Sequence, residues 1–197
     1  MQDRNTLRRE MRARRRALTP RQQRLAGRRL ATRLGRQLWF IQARHVALYL
    51  PNDGEIDTGP LIALCRQLGK TLYLPVLHPI RHNRLWFTPY TRSTRMRLNR
   101  YRILEPVPRG QPARPAMALD LVLLPLVAFS AAGGRMGMGG GYYDRTFAFR
   151  LNGKGMRGPR LVGLAHELQR VERLPMERWD VPLDAIVTDA RVYPVSC

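Results

Sequence analysis

An apolar run that leads into a glycine-rich segment is the strongest constraint on how this chain can fold. Residues 121–129 are apolar, and six of the nine residues from Gly133 to Gly141 are glycine. Each glycine raises the entropic cost of ordering the chain, so core packing alone does not account for so many together. A strand that leads into a glycine-rich loop is how α/β proteins offer backbone N–H groups to an anion. The segment therefore predicts an anion-binding loop, with a plain hairpin or strand-to-helix loop as the alternative.

Two charged residues, one within the glycine segment and one just after it, are of the types that bind phosphate and Mg²⁺. Arg135 lies inside the segment, and Asp144 follows Tyr142 and Tyr143. An arginine offers a planar fork to phosphate oxygens, and a carboxylate can hold Mg²⁺. The chain carries neither the Gly-Lys-Ser/Thr end of a Walker loop nor a Gly-x-Gly-x-x-Gly dinucleotide fingerprint with an acidic partner. The segment therefore indicates a phosphate site outside both common motifs.

Short apolar runs alternate with helical patterns along the whole chain. Thr19 and Gln22 form a capping-box pattern around Pro20, which marks the start of a second helix. The predicted helices cover 4–17, 20 to about 39, 58–68 with Thr58 as its cap, and 142–149. The predicted strands cover 46–50, 71–75, 85–88, 121–126, 161–164 and 185–188, and residues 90–116 are expected to be irregular.

This alternation predicts the fold class and the place of the site. Strands that alternate with helices indicate an α/β fold, a three-layer sandwich with a mostly parallel central sheet and helices on both faces. The length is that of one domain over residues 1–197. Ligands of such sheets bind beyond the carboxyl ends of the strands. The turn at 51–55 and the glycine segment both follow strands, so we expect them to share one cleft.

The composition is strongly basic, with 35 Lys and Arg against 14 Asp and Glu and a net charge of +21. Such a balance raises the question of a nucleic-acid partner. Only Lys70 and Lys154 are lysine, and the arginines are spread along the chain, as a GC-rich genome would produce. A nucleic-acid partner is therefore not expected, whereas attraction of small polyanions is.

The chain shows no sign of export or of a membrane. No apolar run approaches the ~20 residues of a membrane span, and no signal peptide is visible at the N-terminus. Cys65 and Cys197 have neither metal-site nor disulfide spacing. We therefore expect a reduced, cytoplasmic protein and a monomer.

The residues that follow the apolar run resemble a family signature. The stretch from Leu121 through Asp144, and above all its Gly-Gly-Gly-Tyr-Tyr-Asp end at 139–144, resembles that of the 5-formyltetrahydrofolate cyclo-ligases, also called methenyltetrahydrofolate synthetases. Four further elements match in family order: Arg4-x-x-x-Arg8, Gly-Glu-Ile-Asp-Thr at 54–58, Ile-Leu-Glu-Pro at 103–106, and 179–184 with the Val-Thr pair at 187–188. The family usually has Lys where this chain has Arg4, and Tyr or Arg where it has Met138.

The resemblance implies an ATP- and Mg²⁺-dependent enzyme that converts 5-formyltetrahydrofolate to 5,10-methenyltetrahydrofolate with release of ADP and phosphate. ATP phosphorylates the formyl oxygen, N10 of the folate attacks the activated carbon, and phosphate leaves as the ring closes. Such chemistry needs alignment and charge stabilisation rather than a covalent enzyme intermediate. The alternative is a basic RNA-associated protein that keeps the scaffold without turnover.

Site residues are carried over from the family position by position. The resemblance implies catalytic roles for Arg135 and Asp144, and Mg²⁺ binding by Asp144 and Asp180. It implies folate binding by Leu50, Glu55, Met138, Gly139, Gly140, Gly141 and Tyr142. It implies ATP binding by Arg4, Arg8, Arg135, Met136, Gly137, Met138, Gly139, Gly140, Gly141, Tyr142 and Tyr143. Without the resemblance, Arg4 and Arg8 would be assigned to a solvated basic face, Glu55 to a turn, and both tyrosines to packing.

Overall fold

A computed structural model of the chain describes residues 3–80, 82–107, 113–152, 158–174 and 177–195, so Lys154 and Cys197 lie outside the described residues. Its α-helices are α1 (Arg4–Arg16), α2 (Pro20–Gly35), α3 (Leu38–Gln42), α4 (Gly59–Gln67) and α5 (Tyr142–Phe147). Its strands are β1 (His45–Ala47), β2 (Thr71–Leu77), β3 (Leu85–Pro89), β4 (Met96–Leu98), β5 (Leu104–Pro106), β6 (Leu121–Pro125), β7 (Ala128–Ser130), β8 (Arg135–Met136), β9 (Arg160–Ala165), β10 (Arg170–Val171), β11 (Ala185–Thr188) and β12 (Val192–Pro194). Short 3₁₀ turns occupy Ala116–Ala118, Ala148–Asn152 and Glu167–Gln169.

Within these ranges, seven strands form one sheet in the order β12-β11-β9-β6-β1-β2-β3. The strands from β11 to β2 in this order are parallel, and β12 and β3 close the two edges in the antiparallel sense. The sheet therefore matches the predicted, mostly parallel architecture.

No helix of the described ranges combines the length and apolarity that a membrane span requires.

Helical segments cover both faces of the sheet. On one face Leu30 of α2 and Leu61 of α4 pack in a cluster that includes Leu123 of β6. On the other face Phe147 of α5 packs in a cluster that includes Val122. Because β6 is buried on both faces, its sequence is continuously apolar rather than alternating. These layers confirm the predicted three-layer sandwich.

The two predicted helix caps have different outcomes. Thr19 caps α2 as predicted: its Oγ1 accepts from Gln22 N at 3.3 Å, and its own N–H donates to Gln22 Oε1 at 2.8 Å. Thr58 does not cap α4, because its fully buried hydroxyl donates to the Tyr49 carbonyl at 2.8 Å. Thr58 stands at the N-cap position of α4 without a side-chain cap bond, and the preceding Asp57 supplies an acceptor, with Oδ1 accepting from Gly59 N at 2.8 Å.

Two segments are divided differently from the predictions. The second helix ends at Gly35, and a separate short helix, α3, follows it. The apolar run 121–129 is divided, because the carbonyls of Leu126 and Val127 accept hydrogen bonds from the buried Gln169 amide at 2.6 and 2.9 Å. The chain leaves the sheet there and forms the β7–β8 hairpin, which includes the first residues of the glycine segment, from Gly133 to Met136.

The expectation that 90–116 is irregular is wrong in its middle part. Strands β4 and β5 pair in an antiparallel hairpin. Its tip is closed by Asn99, whose Oδ1 accepts from Tyr101 N at 2.9 Å and from Ile103 N at 3.1 Å. An asparagine that bonds the backbone in this way is a known turn device, but the surrounding arginines and prolines obscured it.

We predict that Gly27→Ala destabilises the fold. A Cβ at Gly27 of α2 would lie 2.5 Å from the backbone oxygen of Asp57, which cannot move without displacing the turn that precedes α4. We expect the free energy of unfolding to fall by about 1–3 kcal/mol in denaturant titrations. In the matched control, Gly35→Ala, the methyl meets the flexible end of Leu64 at 3.1 Å. Equal stability of the two variants would contradict this packing argument.

Candidate active site

A cavity of about 990 Å³ opens at the carboxyl ends of β1, β2 and β6. Parallel strands end at the same edge of a sheet, so the segments that follow them meet there. The cavity is walled by α1, the turn at 52–55, the β4–β5 hairpin, the glycine segment, α5 and residues 177–180. This confirms that the turn after the first strand and the glycine segment share one cleft.

Nearly all of the predicted site residues line this cavity. The lining includes Arg4, Arg8, Leu50, Glu55, Arg135, Gly137, Met138, Gly139, Gly140, Gly141, Tyr142, Tyr143, Asp144 and Asp180. Met136 is not part of the lining. Its side chain is 1% exposed and packs in a cluster with Leu7 and Met11 of α1, while its carbonyl accepts from Val127 N at 2.7 Å.

The backbone of the glycine segment faces the cavity with its donors available. No N–H group from Gly137 to Gly141 donates a hydrogen bond to any residue that the structure describes. Gly139 and Gly141 have φ values of 93° and 64°, in the left-handed region that side chains disfavour. Gly137 and Gly141 are half-buried, and Met138, Gly139 and Gly140 are exposed, so these N–H groups meet solvent and are open to an anion in the cavity.

Two arginines of α1 lie beside these donors. Arg8 Nε donates to the Gly137 carbonyl at 3.0 Å, and its guanidinium lies 3.6 Å from where a Cβ on Gly139 would be. Arg4 NH1 lies 3.4 Å from Glu177 Oε1. Burial, followed by the positive charge of Arg4, lowers the pKa of the Arg8 guanidinium. Arg4 is paired with Glu177, whereas no carboxylate among the described residues forms an ion pair with Arg8, so the charge of Arg8 is open to an anionic ligand.

Arg135 holds the end of the glycine segment in place. Its Nε and NH2 donate to the Val181 carbonyl at 3.1 and 2.7 Å, and NH2 also pairs with Asp144 Oδ1. The same Asp144 oxygen accepts from Val181 N at 3.2 Å. Arg135 is only 5% exposed. Its guanidinium therefore orients Asp144 and the 177–181 segment, in addition to lining the cavity.

Asp144 and Asp180 are the carboxylates that could hold a metal ion. Asp180 is buried, and its Oδ2 accepts from Glu177 N at 2.9 Å. The peptide that follows Asp180 bonds Asp144, so the two residues are neighbours on one wall. Among the described residues, no group of three or more His, Cys, Asp and Glu is arranged to hold a metal. Two carboxylates fit Mg²⁺, which usually takes one or two protein oxygens together with waters and substrate phosphates.

A different part of the lining surrounds Glu55. Its Oε2 accepts from Asn52 N at 3.1 Å, and its side chain is 12% exposed. Burial raises the pKa of the Glu55 carboxyl to about 7, against the opposing effect of Arg15. The buried phenols of Tyr49 and Tyr143 lie close enough for the charge of Glu55 to raise their pKa values, after burial as the main cause. This part of the cavity can therefore offer a carboxylate to a ligand with N–H donors.

The hairpin that sequence reasoning missed reaches over the cavity. Tyr101 OH and Tyr142 OH are 2.7 Å apart, and their rings are edge-on with centroids separated by 6.0 Å. Arg100 NH2 also donates to Tyr142 OH at 2.6 Å. The alternation of apolar residues around the Asn99 turn was the available signal. Trp179, which is 65% exposed, adds a further aromatic side chain to the lining.

The chain is similar to known proteins over most of its length. A profile of the 5-formyltetrahydrofolate cyclo-ligase family matches residues 1–189. The 5-formyltetrahydrofolate cyclo-ligase of Escherichia coli K12 is 44% identical over 183 residues, which cover 93% of this chain and 98% of that protein. The enzyme of the same name from Haemophilus influenzae is 46% identical over 142 residues, covering 72% and 74%.

Comparison of structures leads to the same family. The solved structure of Aquifex aeolicus 5,10-methenyltetrahydrofolate synthetase superimposes with a TM-score of 0.80 at 29% identity, covering 97% of this chain and 92% of that one. These similarities bear out both the resemblance of the glycine segment and the fold. The chain belongs to the 5-formyltetrahydrofolate cyclo-ligase family and is therefore an enzyme, a ligase with the cyclo-ligase activity for which the family is named.

Proposed function

We propose that the chain uses ATP and Mg²⁺ to convert 5-formyltetrahydrofolate to 5,10-methenyltetrahydrofolate, releasing ADP and phosphate. The observation that carries the proposal is the composition of one cavity. Unused backbone donors and arginines line it together with two carboxylates and with the Glu55 carboxyl. A phosphate donor and a pterin would therefore be held in one space, which direct phosphoryl transfer between them requires.

The phosphates of ATP are assigned to the glycine segment and to α1. The N–H groups from Gly137 to Gly141 would bind phosphate oxygens, with Arg4 and Arg8 supplying positive charge. Asp144 and Asp180 would hold Mg²⁺, which when bound neutralises charge that develops on the phosphate oxygens. Because Arg135 already pairs with Asp144, its main effect is to keep that carboxylate facing the cavity.

The folate is assigned to the lining around Glu55. A pterin ring presents amino and N–H donors along one edge, and an ionised carboxylate accepts from both. Leu50 and Leu74 give this part of the cavity an apolar wall, and Tyr101 and Trp179 add aromatic surface. An apolar pocket with a few fixed polar groups is the usual form of a small-molecule site.

In the proposed reaction no side chain of the protein has to act as a nucleophile. The formyl oxygen takes the γ-phosphoryl group and ADP leaves. The N10 electron pair then forms a bond to the formyl carbon, the carbon–oxygen bond breaks, and phosphate leaves with its electrons while N10 loses its proton. The residues described above need only hold the reactants in line and stabilise negative charge.

The RNA-associated alternative, the monomeric state and the cytoplasmic location stay predictions. The alternative, an RNA-associated protein on the same scaffold, predicts RNA binding with a steep dependence on salt and no turnover. A monomeric state and a cytoplasmic location are also untested.

We predict that the purified protein forms methenyltetrahydrofolate from 5-formyltetrahydrofolate only when both ATP and Mg²⁺ are present. The product absorbs in the near ultraviolet, where the formyl substrate does not, so the growth of that band measures turnover. No growth in the complete mixture would contradict the proposed reaction, and growth without ATP would contradict the phosphorylation step.

We predict that Asp144→Asn and Asp180→Asn each lower kcat at least tenfold at saturating folate, because each removes a charged ligand from Mg²⁺. Asp144→Asn also weakens the partner of a buried arginine, which we expect to cost about 1–3 kcal/mol of stability. The rates should therefore be compared well below the melting temperature of each variant. A shift of the Mg²⁺ concentration needed for half-maximal rate identifies metal binding, and an unchanged Mg²⁺ dependence in both variants would rule out this role.

We predict that the affinity for 5-formyltetrahydrofolate depends on the ionisation of Glu55. The carboxylate is the form that accepts from the pterin, and burial raises the pKa of Glu55 to about 7, so affinity is nearly full at pH 8 and is lost as the pH falls through 7. We expect about tenfold weaker binding at pH 6 than at pH 8 in calorimetric titrations without ATP. Glu55→Gln should bind weakly and show no inflection. Equal affinity at both pH values in the unmodified protein would exclude Glu55 as the acceptor.

A further inference from the structure

Arg15, near the end of α1, is fully buried and does not line the cavity. All three of its guanidinium nitrogens donate hydrogen bonds. Nε donates to the Asp53 carbonyl at 2.8 Å, NH1 to the Leu126 carbonyl at 3.2 Å, and NH2 to Asp53 Oδ2 at 2.9 Å. Burial of a charge is costly, and a well-packed apolar side chain is often as stable or more stable in such a position. A role beyond stability therefore has to be considered for this arginine.

The hydrogen bonds of Arg15 connect three segments of the chain near the cavity. Arg15 belongs to α1, which carries Arg4 and Arg8, while Asp53 lies in the turn that carries Glu55. Leu126 follows the carboxyl end of β6. Arg15 therefore fixes the turn that carries Glu55 against α1 and against the end of the central strand.

Asp53 is held at the centre of this arrangement. Its Oδ2 also accepts from Arg12 Nε at 2.6 Å, and Arg16 NH1 lies 3.4 Å from Oδ1. Burial acts to raise the pKa of the Asp53 carboxyl, but the hydrogen bonds from Arg12 and Arg15 outweigh it and leave the pKa lowered. Asp53 is therefore a fixed negative charge, and its φ of 52° is one that asparagine also tolerates.

Glu55 lies between these charges. Arg15 NH2 is 3.9 Å from Glu55 Oε1. From the other sides Glu55 faces the backbone N–H of Asn52, the ring of Tyr49 after β1 and that of Tyr143 in α5. Since both phenols have a raised pKa and are neutral near pH 7, the charges that act on Glu55 are those of Arg15 and Asp53, with opposite signs.

We propose that Arg15 is a positioning residue of the folate site, which holds the Glu55 carboxylate in place through the Asp53 turn and whose buried positive charge favours the ionised form of that carboxylate. The part of this inference that concerns folate rests on the proposed function. The part that concerns the charge of Glu55 rests on the contacts of Arg15 alone.

The charge effect is tested in the free protein by NMR titration of the Glu55 side-chain carboxyl carbon, with Glu55→Gln to identify its resonance. We expect Arg15→Gln to move the titration midpoint upward by about one pH unit, because an opposite charge near 4 Å is lost. We expect Asp53→Asn to move it downward, because a like charge is lost. A purely structural role for Arg15 would not produce shifts of opposite sign.

The NMR titrations give different results for the proposed charge effect and for its absence. If Arg15→Gln does not fold, the kinetic comparison with Arg15→Lys below still tests the role of Arg15. An unmoved midpoint in folded Arg15→Gln, or an upward shift in Asp53→Asn, would overturn the inference. Neither result depends on substrate, so either could occur in a protein that turns over folate normally.

The positioning effect is tested kinetically with Arg15→Lys, which keeps the charge and loses the guanidinium fork. We expect KM for 5-formyltetrahydrofolate to rise at least fivefold while KM for ATP changes less than twofold, because Leu7 and Met11 still pack α1 onto the β7–β8 hairpin. A parallel rise of both KM values, or no change in the folate KM, would overturn the positioning role. Absence of turnover in the unmodified protein would instead refute the proposed function and leave the NMR test standing.

Discussion

The site depends on the register of the parallel strands in the central sheet. Hydrogen bonds between β1, β2 and β6 align their carboxyl ends at one edge, and the segments that leave these strands have to meet there. Residues that are far apart in sequence thereby become neighbours. Glu55 after β1, the glycine segment after β6 and the arginines of α1 line the same cavity. The chemistry available to the cavity is therefore a consequence of backbone pairing in the sheet.

Charge in the protein is organised in two ways. The buried arginines, Arg15 and Arg135, have their guanidinium groups engaged with carbonyl oxygens and a carboxylate, so they fix the geometry of loops. Arg4 and Arg8 lie on the cavity wall, beside the glycine segment. These four arginines therefore differ in their surroundings, two being engaged in the interior and two lining the cavity, which net charge alone cannot distinguish.

The glycine segment combines an open backbone with fixed ends. Its five residues from Gly137 to Gly141 leave their N–H groups without acceptors among the described residues, yet the flanking residues are tightly held. Arg135 and Asp144 bond each other and the Val181 peptide, and Met136 packs against α1. A loop of this kind keeps donors oriented without side chains that would fill the space of a ligand. Preorganised donors cost little to arrange when an anion binds.

The sequence by itself determined the alternation of elements, the cap at Thr19 and the mostly parallel sheet. These properties follow from local patterns, namely apolar periodicity and turn residues, which need no knowledge of distant contacts. The predicted site residues came from the family resemblance, and their common cleft was expected because ligands bind beyond the carboxyl ends of parallel strands. Only the tertiary structure decided that Thr58 bonds a carbonyl, that Met136 is packed away, that Arg135 is bound to Val181 and that the Asn99 hairpin covers the cavity. Each of these depends on a partner distant in sequence, whose position is fixed only when the sheet brings the segments together.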